Sequence, residues 1–183
     1  MYNERAGKEN TDHTIDVAFE YALKNHIRHI VVASTTGYTA KRVFERRGDA
    51  DLDIVVVTHN TGFKAEGDQE FPETLRNELT NKGVKVLTGT MALRGINTAI
   101  RETMGYSEGD LIANTLRIFS QGIKVCVEIV AMAADSGYIP FSDVIAISGT
   151  GQGADTACLI KANSSNRFFK IKVKEIIIKP REF

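Results

Sequence analysis

The sequence lacks three features that would assign it to a broad class of protein. Its 23 basic and 23 acidic residues leave a formal net charge of zero, whereas general nucleic-acid binders carry a basic excess. No apolar run approaches the roughly 20 residues that a membrane-spanning helix needs. The polar N-terminus lacks the apolar core of a signal peptide. We therefore expect neither a nucleic-acid partner nor a membrane partner.

Residues with distinctive chemistry are scarce as well. Cys126 and Cys158 are the only cysteines, and their spacing matches no metal-binding or redox motif. Two buried free thiols and a cytoplasmic location are the expected consequences. The sequence contains no recognisable metal-ligand cluster, Ser/His/Asp motif or pair of catalytic acids, so no metal site is expected.

Internal repeats, low-complexity tracts and Pro/Gly-rich linkers are also absent from the 183 residues. A chain of this length without such boundaries is typical of one domain. We expect a single domain over residues 1–183, with residues 1–11 as a loose lead-in. The sequence leaves open whether the chain forms homo-oligomers.

What the sequence does contain is an alternation of helix and strand patterns. Apolar residues at one-faced helical spacing predict a helix over 12–26, and short apolar runs predict strands. Further strands are predicted over 27–33, 53–58, 84–87 and 143–148, and further helices over 40–47, 72–82, 91–104, 111–120 and 123–135. This alternation predicts an α/β fold with a mainly parallel sheet covered on both faces. A turn at 163–166 and a strand at 168–178 predict a C-terminal antiparallel hairpin at one edge of the sheet.

The first loop of interest follows the strand 27–33. It places Ser34, Thr35, Thr36, Gly37 and Thr39 between a strand and the start of a helix. Exposed backbone N–H groups and the helix dipole both favour an anion at such a position. The loop therefore predicts a phosphate site. The alternative is a polar turn in which Thr39 caps the helix.

The second loop follows the strand 143–148 and contains Ser148, Gly149, Thr150, Gly151 and Gly153. Its G-x-G-x-G pattern is neither a dinucleotide-binding fingerprint nor a P-loop. Glycines without side chains let the backbone approach an anion closely. Because a strand follows this loop, no helix dipole supports it, and we expect it to form the opposite wall of the pocket. The alternative is a tight connection with glycines at positive φ.

Two further strand ends have the same small, polar character. His59, Thr61 and Gly62 follow the strand 53–58, and Gly89 and Thr90 follow the strand 84–87. In an open parallel sheet, ligands bind beyond the carboxyl ends of the strands. We expect these residues to line a polar part of the same pocket.

Three side chains are candidates for acid–base chemistry or polar contacts. Glu128 is the only carboxylate in the apolar stretch 123–134, where burial could make it a general acid or base. The alternatives are an ion pair with Lys124 or a position at the surface. His59 is a weaker candidate base. Asp155 either contacts the ligand or caps the turn after the glycines.

The two main loops resemble a known family. The sequence from Ile30 to Ala40 is similar to the strand, T-x-S-G-x-T-A loop and helix that open the phosphate site of the pyruvate kinase C-terminal domain. The sequence from Ser148 to Ala157 resembles the S-G-T-G-x-G-A-D-T-A pattern of stand-alone proteins of that type from archaea and bacteria. The resemblance implies a three-layer α/β/α fold. Residues 89–142 are longer and more helical than the familiar domain.

The resemblance also implies a ligand. In pyruvate kinase this domain binds an allosteric sugar phosphate, and Ser34, Thr36, Gly37 and Thr39 match its phosphate loop. In the stand-alone proteins the implied ligand is flavin mononucleotide (FMN). Pyruvate kinase activity is not implied, because the sequence contains no barrel domain.

Three functions follow as hypotheses. The first is a small-molecule-binding domain for FMN or a similar phosphorylated ligand. The second is a flavin-dependent oxidoreductase or another phosphometabolite enzyme that uses Glu128 or His59 as acid or base. The third is a regulatory module in which ligand binding alters association with another protein.

Overall fold

A computed structural model describes Met1–Phe183. The elements in chain order are β1 (Tyr2–Arg5), α1 (Thr11–Lys24), β2 (His29–Ala33), α2 (Tyr38–Arg47), β3 (Asp53–Val57), α3 (Glu73–Asn81), β4 (Lys85–Leu87), α4 (Gly95–Met104), α5 (Glu108–Arg117), α6 (Gln121–Asp135), β5 (Asp143–Ser148), β6 (Thr156–Lys161) and β7 (Lys172–Glu182). None of these helices is both long enough and apolar enough to span a membrane.

The strands form one sheet in the order β1-β7-β6-β5-β2-β3-β4. Strand β6 pairs antiparallel with both of its neighbours, and all the other pairs are parallel. Six strands therefore point the same way. This arrangement confirms the predicted α/β fold with a mainly parallel sheet and a C-terminal antiparallel hairpin.

Helices cover both faces of the sheet and bury two separate cores. On one face, Ile15 and Phe19 of α1 and Val43 of α2 pack against the sheet. On the other face, α6 is buried along 12 of its 15 residues, as its apolar sequence predicts. Helix α5 lies against α6, and α4 contains no buried residue. The sheet between two helical layers confirms the three-layer architecture.

The expectation that residues 1–11 form a loose lead-in is wrong. Tyr2–Arg5 forms an edge strand parallel to β7, so the C-terminal hairpin is not the edge of the sheet. Asn3 is buried, and its amide donates to the backbone carbonyl of Asp155. A polar four-residue strand with one inward side chain lacks the apolar alternation that predicts a strand.

Some predicted boundaries also differ from those in the structure. The helix expected over 91–104 begins at Gly95, and the strand expected from 168 begins at Lys172 after a 3₁₀ turn. Helix α5 begins earlier than expected, directly after Ser107, whose hydroxyl accepts from the Asp110 N–H. That hydrogen bond makes Ser107 the N-cap of the helix.

Candidate functional site

A cavity of about 480 Å³ lies beyond the carboxyl ends of β2, β3 and β5. These three strands are neighbours in the order β5-β2-β3, so the loops that follow them meet at one edge of the sheet. The predicted site residues that line the cavity are Ser34, Thr35, Thr36, Thr39, His59, Glu128, Gly149, Gly151 and Gly153. A volume of this size is typical of small-molecule sites.

The loop after β2 presents a continuous row of free donors. None of the five backbone N–H groups from Thr35 to Thr39 donates to an acceptor in the chain. The next N–H, that of Ala40, donates to the Ser34 hydroxyl at 3.1 Å, so Ser34 supplies the capping acceptor for helix α2, and Thr39, the cap in the alternative, lies inside the helix. The row therefore lies at the positive end of the α2 dipole.

Gly37 gives this loop its shape without itself lining the cavity. Its φ of +90° lies in the left-handed region, which favours glycine. A Cβ atom at this position would lie 2.3 Å from Cδ2 of Leu75 on α3. The backbone angle therefore favours glycine here, and a larger residue would also displace the end of the Leu75 side chain.

The glycine-rich loop after β5 has a different pattern of donors. The N–H groups of Thr150, Gln152 and Ala154 bond within the protein, to Asp155 Oδ2, the Thr150 carbonyl and Thr11 Oγ1. The alternating N–H groups of Gly149, Gly151 and Gly153 donate to no acceptor in the chain, and all three residues line the cavity. This loop is the opposite wall that the sequence predicts.

Asp155 does not line the cavity. Its side chain is fully buried, and Oδ2 accepts from the N–H groups of Gly7 and Thr150 while Oδ1 accepts from the Thr156 hydroxyl. These bonds attach the glycine-rich loop to the N-terminal segment. Of the two roles expected for Asp155, the structure supports capping of the turn.

Several other predicted residues also lie outside the cavity lining. Ser148 is buried and donates to the Gly122 carbonyl at 2.7 Å, so it joins β5 to α6. Thr61 and Gly62 lie in an exposed turn that bonds to Gln69 and Asp68. The remaining predicted residues that do not line the cavity are Gly37, Gly89, Thr90 and Thr150.

Glu128 is buried, with 1% of its area exposed, and both of its carboxylate oxygens are occupied. One oxygen accepts from the Leu93 N–H at 2.8 Å, and the other pairs with the Lys124 ammonium group. Burial lowers the pKa of Lys124, and the neighbouring carboxylate opposes that shift. The ion pair is the alternative considered for Glu128, and the hydrogen bond from Leu93 attaches the segment before α4 to α6.

His59 lies at the end of β3 and is held on both sides of its ring. Nδ1 lies 2.9 Å from Glu70 Oε2, and Nε2 lies 3.3 Å from Thr35 Oγ1. The ring also stacks on Phe63 at 3.8 Å between centroids. The imidazole therefore links the loop after β2 to the segment before α3.

The cavity is positively charged although the whole chain is neutral. Its lining includes the cationic side chains of Lys8, Arg94, Arg117 and Lys124, against the carboxylates of Glu70 and Glu128. Both carboxylates are paired, with His59 and Lys124. The Arg94 guanidinium makes no hydrogen bond or ion pair in the chain and lies 4.4 Å from the Phe63 ring centroid. Sequence reasoning missed Lys8, Arg94 and Arg117 as cavity residues, because none of them lies in a loop after one of the predicted strands.

An apolar surface completes the cavity. Its members are Ala33, Val57, Phe63, Met91, Val125, Ile129 and Met132. Polar donors on two loops, unpaired positive charge and an apolar floor suit an anionic molecule that also has a substantial apolar part.

Comparison with known proteins places this site in a family context. Residues 12–160 match the family model for the pyruvate kinase alpha/beta domain. Among solved structures, the chain is similar to pyruvate kinase of Cryptosporidium parvum in complex with ADP, with 17% identity and a TM-score of 0.44. A second structure of the C. parvum enzyme gives 15% identity and a TM-score of 0.42.

These alignments cover 84% of this chain but only 24% and 22% of the two pyruvate kinase chains. The chain thus spans about a quarter of the length of the solved proteins that it matches. The match to the family model covers more than half of this chain. It includes β2, α2 and β5 with the two loops that face the cavity. The chain therefore belongs to the pyruvate kinase alpha/beta domain family.

Proposed function

We propose that this protein binds a phosphorylated small molecule, with FMN as the first ligand to test. The observation that carries the proposal is the row of five free N–H groups from Thr35 to Thr39, which begins a helix and borders a cavity. Such a row satisfies the several acceptor oxygens of a phosphate group better than one side chain could. The phosphate would therefore lie on this loop.

The rest of the cavity supports a ligand with a flat apolar portion. The glycines of the opposite loop let its free N–H groups come close to the ligand. The floor between the loops is apolar. The unpaired Arg94 guanidinium, which lies over the Phe63 ring, supplies a planar cation at one side. An isoalloxazine ring attached to a phosphate through a sugar alcohol has both of these parts.

The first experiment measures what the purified protein carries and takes up. A bound flavin would give the visible flavin spectrum and the mass of FMN after denaturation. If the protein is isolated empty, FMN at about 100 times its Kd should stabilise the fold by about 2.7 kcal/mol. Riboflavin, which has no phosphate, should stabilise it much less. If neither FMN nor any phosphorylated metabolite raises the melting temperature, the proposal is wrong.

A charge substitution tests the phosphate position directly. Thr36 is exposed, so Thr36→Glu should leave the fold intact while placing a carboxylate beside the bound phosphate. We expect FMN affinity to fall at least about tenfold, which corresponds to about 1.4 kcal/mol. Thr80→Glu, at an exposed position on α3, is the matched control. Equal affinity in the two variants would place the phosphate elsewhere.

A second candidate function is an enzyme, either a flavin-dependent oxidoreductase or another enzyme of phosphorylated metabolites. The position of His59 in the cavity wall favours it, because an imidazole beside a bound ligand can transfer protons. Glu128 is the weaker candidate, since both of its oxygens accept hydrogen bonds. Turnover that survives unchanged in His59→Ala would remove the histidine from any such mechanism.

A further inference from the structure

Three side chains in the cavity wall form a carboxylate–imidazole–hydroxyl chain that FMN binding does not require. Glu70 Oε2 lies 2.9 Å from His59 Nδ1, and His59 Nε2 lies 3.3 Å from Thr35 Oγ1. The three residues come from separate segments, after β2, after β3 and before α3. We propose that this chain activates the Thr35 hydroxyl as a nucleophile for hydrolysis of a carboxylic ester or thioester that bears an anionic group.

The first step of the argument concerns the tautomer of His59. A carboxylate only accepts hydrogen bonds, so the contact with Glu70 places the proton on Nδ1. Nε2 then carries a lone pair directed at the Thr35 hydroxyl. The Phe63 ring, stacked 3.8 Å from the imidazole, restrains its plane. His59 is thereby oriented to take a proton from Thr35.

The second step concerns the negative charge that an attack on a carbonyl creates. Thr35 lies in a strand–turn–helix connection, and the N–H groups of the residues that follow it donate to nothing in the chain. Nucleophiles in hydrolases occupy such turns because the next backbone N–H can stabilise the developing oxyanion. The free donors beside Thr35 are therefore placed where an acyl transfer needs them.

The reaction balances with water as the only co-reactant. Thr35 Oγ1 forms a bond to the carbonyl carbon while its proton passes to His59 Nε2, and the carbonyl oxygen becomes an oxyanion. Collapse of this intermediate breaks the bond to the leaving alcohol or thiol, which takes the proton from Nε2. Water, deprotonated by the same nitrogen, then attacks the acyl-threonine; as the acyl–oxygen bond breaks, Nε2 returns the proton to Thr35 Oγ1 and the acid is released.

Arg94 is the reason to expect an anionic group on the substrate. Its guanidinium lines the cavity and is not paired with any acidic side chain. An unpaired guanidinium favours a ligand carboxylate or phosphate. Glu70 would act as a positioning residue, since it contacts only the imidazole among these groups.

The experiment compares two chromogenic esters, the neutral p-nitrophenyl butyrate and the anionic mono-p-nitrophenyl succinate. The wild type should release p-nitrophenolate from both, faster from the succinate, and should yield an acylated peptide that contains Thr35. Thr35→Val should lower the rate at least about 100-fold, and Thr35→Ser should retain the acyl adduct. Arg94→Gln should abolish the preference for the succinate over the butyrate.

Glu70→Gln separates catalysis from structure. An amide can donate to Nδ1 and favour the tautomer with a proton on Nε2, which cannot accept the hydroxyl proton. We expect a rate loss of about 100-fold with little change in melting temperature, and recovery of most of the rate in Glu70→Asp. His13→Gln, at an exposed position of α1, is the histidine control and should hydrolyse both esters as the wild type does.

Several results would overturn the inference. They are the absence of hydrolysis above the rate of the heat-unfolded protein, an acyl group found only on other residues, or a Thr35→Val variant as fast as the wild type. Because the inference shares the Thr35–Thr39 loop with the proposed ligand site, FMN should slow acylation competitively. FMN binding is measured without ester, so failure of the flavin proposal and failure of the hydrolytic one give different results.

Discussion

The two loops that face the cavity offer backbone donors in different ways. From Thr35 to Thr39 the free N–H groups are consecutive and begin a helix, whereas in the glycine-rich loop they alternate with N–H groups that bond internally. The first loop is supported by a helix that follows it directly. The second is supported by buried Asp155 and by residues near the N-terminus.

An anion site can thus be formed by the start of a helix or by a loop that distant residues hold in place. A helix start needs only local sequence, because its first N–H groups are free in any helix. A loop that leads into a strand has no such source of order and depends on bonds to distant residues. The glycine-rich loop should therefore be more sensitive to single substitutions of the side chains that support it.

The largest expected change in the free energy of unfolding comes from removing the side chain that supports each loop, one loop at a time. Asp155→Ala leaves the N–H groups of Gly7 and Thr150 and the Thr156 hydroxyl without their acceptor. We expect the free energy of unfolding to fall by at least about 3 kcal/mol. Ser34→Ala, which removes only a helix cap, should cost about 1 kcal/mol. Urea unfolding of both variants gives the comparison, and equal losses would contradict it.

A smaller effect distinguishes two glycines within the second loop. Gly151 and Gly153 have nearly the same φ, +76° and +73°. A Cβ at Gly151 meets nothing within 4 Å, whereas at Gly153 it would lie 2.4 Å from Thr11 Oγ1 and 2.7 Å from Lys8 Cα. Both alanine variants carry the same backbone strain of about 1–2 kcal/mol. Gly153→Ala should lose about 2 kcal/mol more, because it also displaces the N-terminal segment.

The Gly151→Ala variant serves as the control in that measurement. If the two alanine variants unfold at the same urea concentration, the N-terminal segment can move away from residue 153 at no measurable cost. In that case it does not determine the position of the glycine-rich loop.

The smallest effect concerns the contact between α1 and α2, and it depends on pH. Hydrogen bonds from Arg42 and Arg46 lower the pKa of Asp12 from 3.8 to about 2. Because the folded-state pKa lies below the unfolded value, the ionised pair stabilises the fold above pH 3.8 and loses this contribution as the pH falls towards 2. Asp12→Asn should therefore be less stable than the wild type at neutral pH, and most of this difference should be lost when the pH reaches about 2.

Melting curves of the wild type and Asp12→Asn across that range test the sign of the effect. A difference in melting temperature that stays constant down to pH 2 would show that the carboxylate charge contributes nothing. The side chain is partly exposed, so added salt should reduce the difference at neutral pH.

The parts of the site that were predictable from the sequence are those that follow strands. Ser34–Thr39 and Gly149–Gly153 could be assigned to one cavity because parallel strands bring their carboxyl ends to the same edge. The alternation of helices and strands likewise predicted the layers and the C-terminal hairpin. Both inferences need only local patterns and a general rule of topology.

The remaining parts depend on contacts between distant segments. Arg94 and Arg117 enter the cavity from the region around α4 and α5, and no local pattern distinguishes them from surface arginines. Glu70 lies in a connection without periodicity, and only the fold brings it to His59. Strand β1 was missed because its partner β7 lies at the other end of the chain and its one buried side chain is the polar Asn3.

The first turn of α1 connects the two loops through the side chains of two adjacent residues. Thr11 binds the glycine-rich loop at Ala154, and its neighbour Asp12 binds α2, the helix that the other loop begins. Adjacent Cα atoms are about 3.8 Å apart whatever surrounds them. A movement of this helical turn would therefore displace both walls of the cavity together.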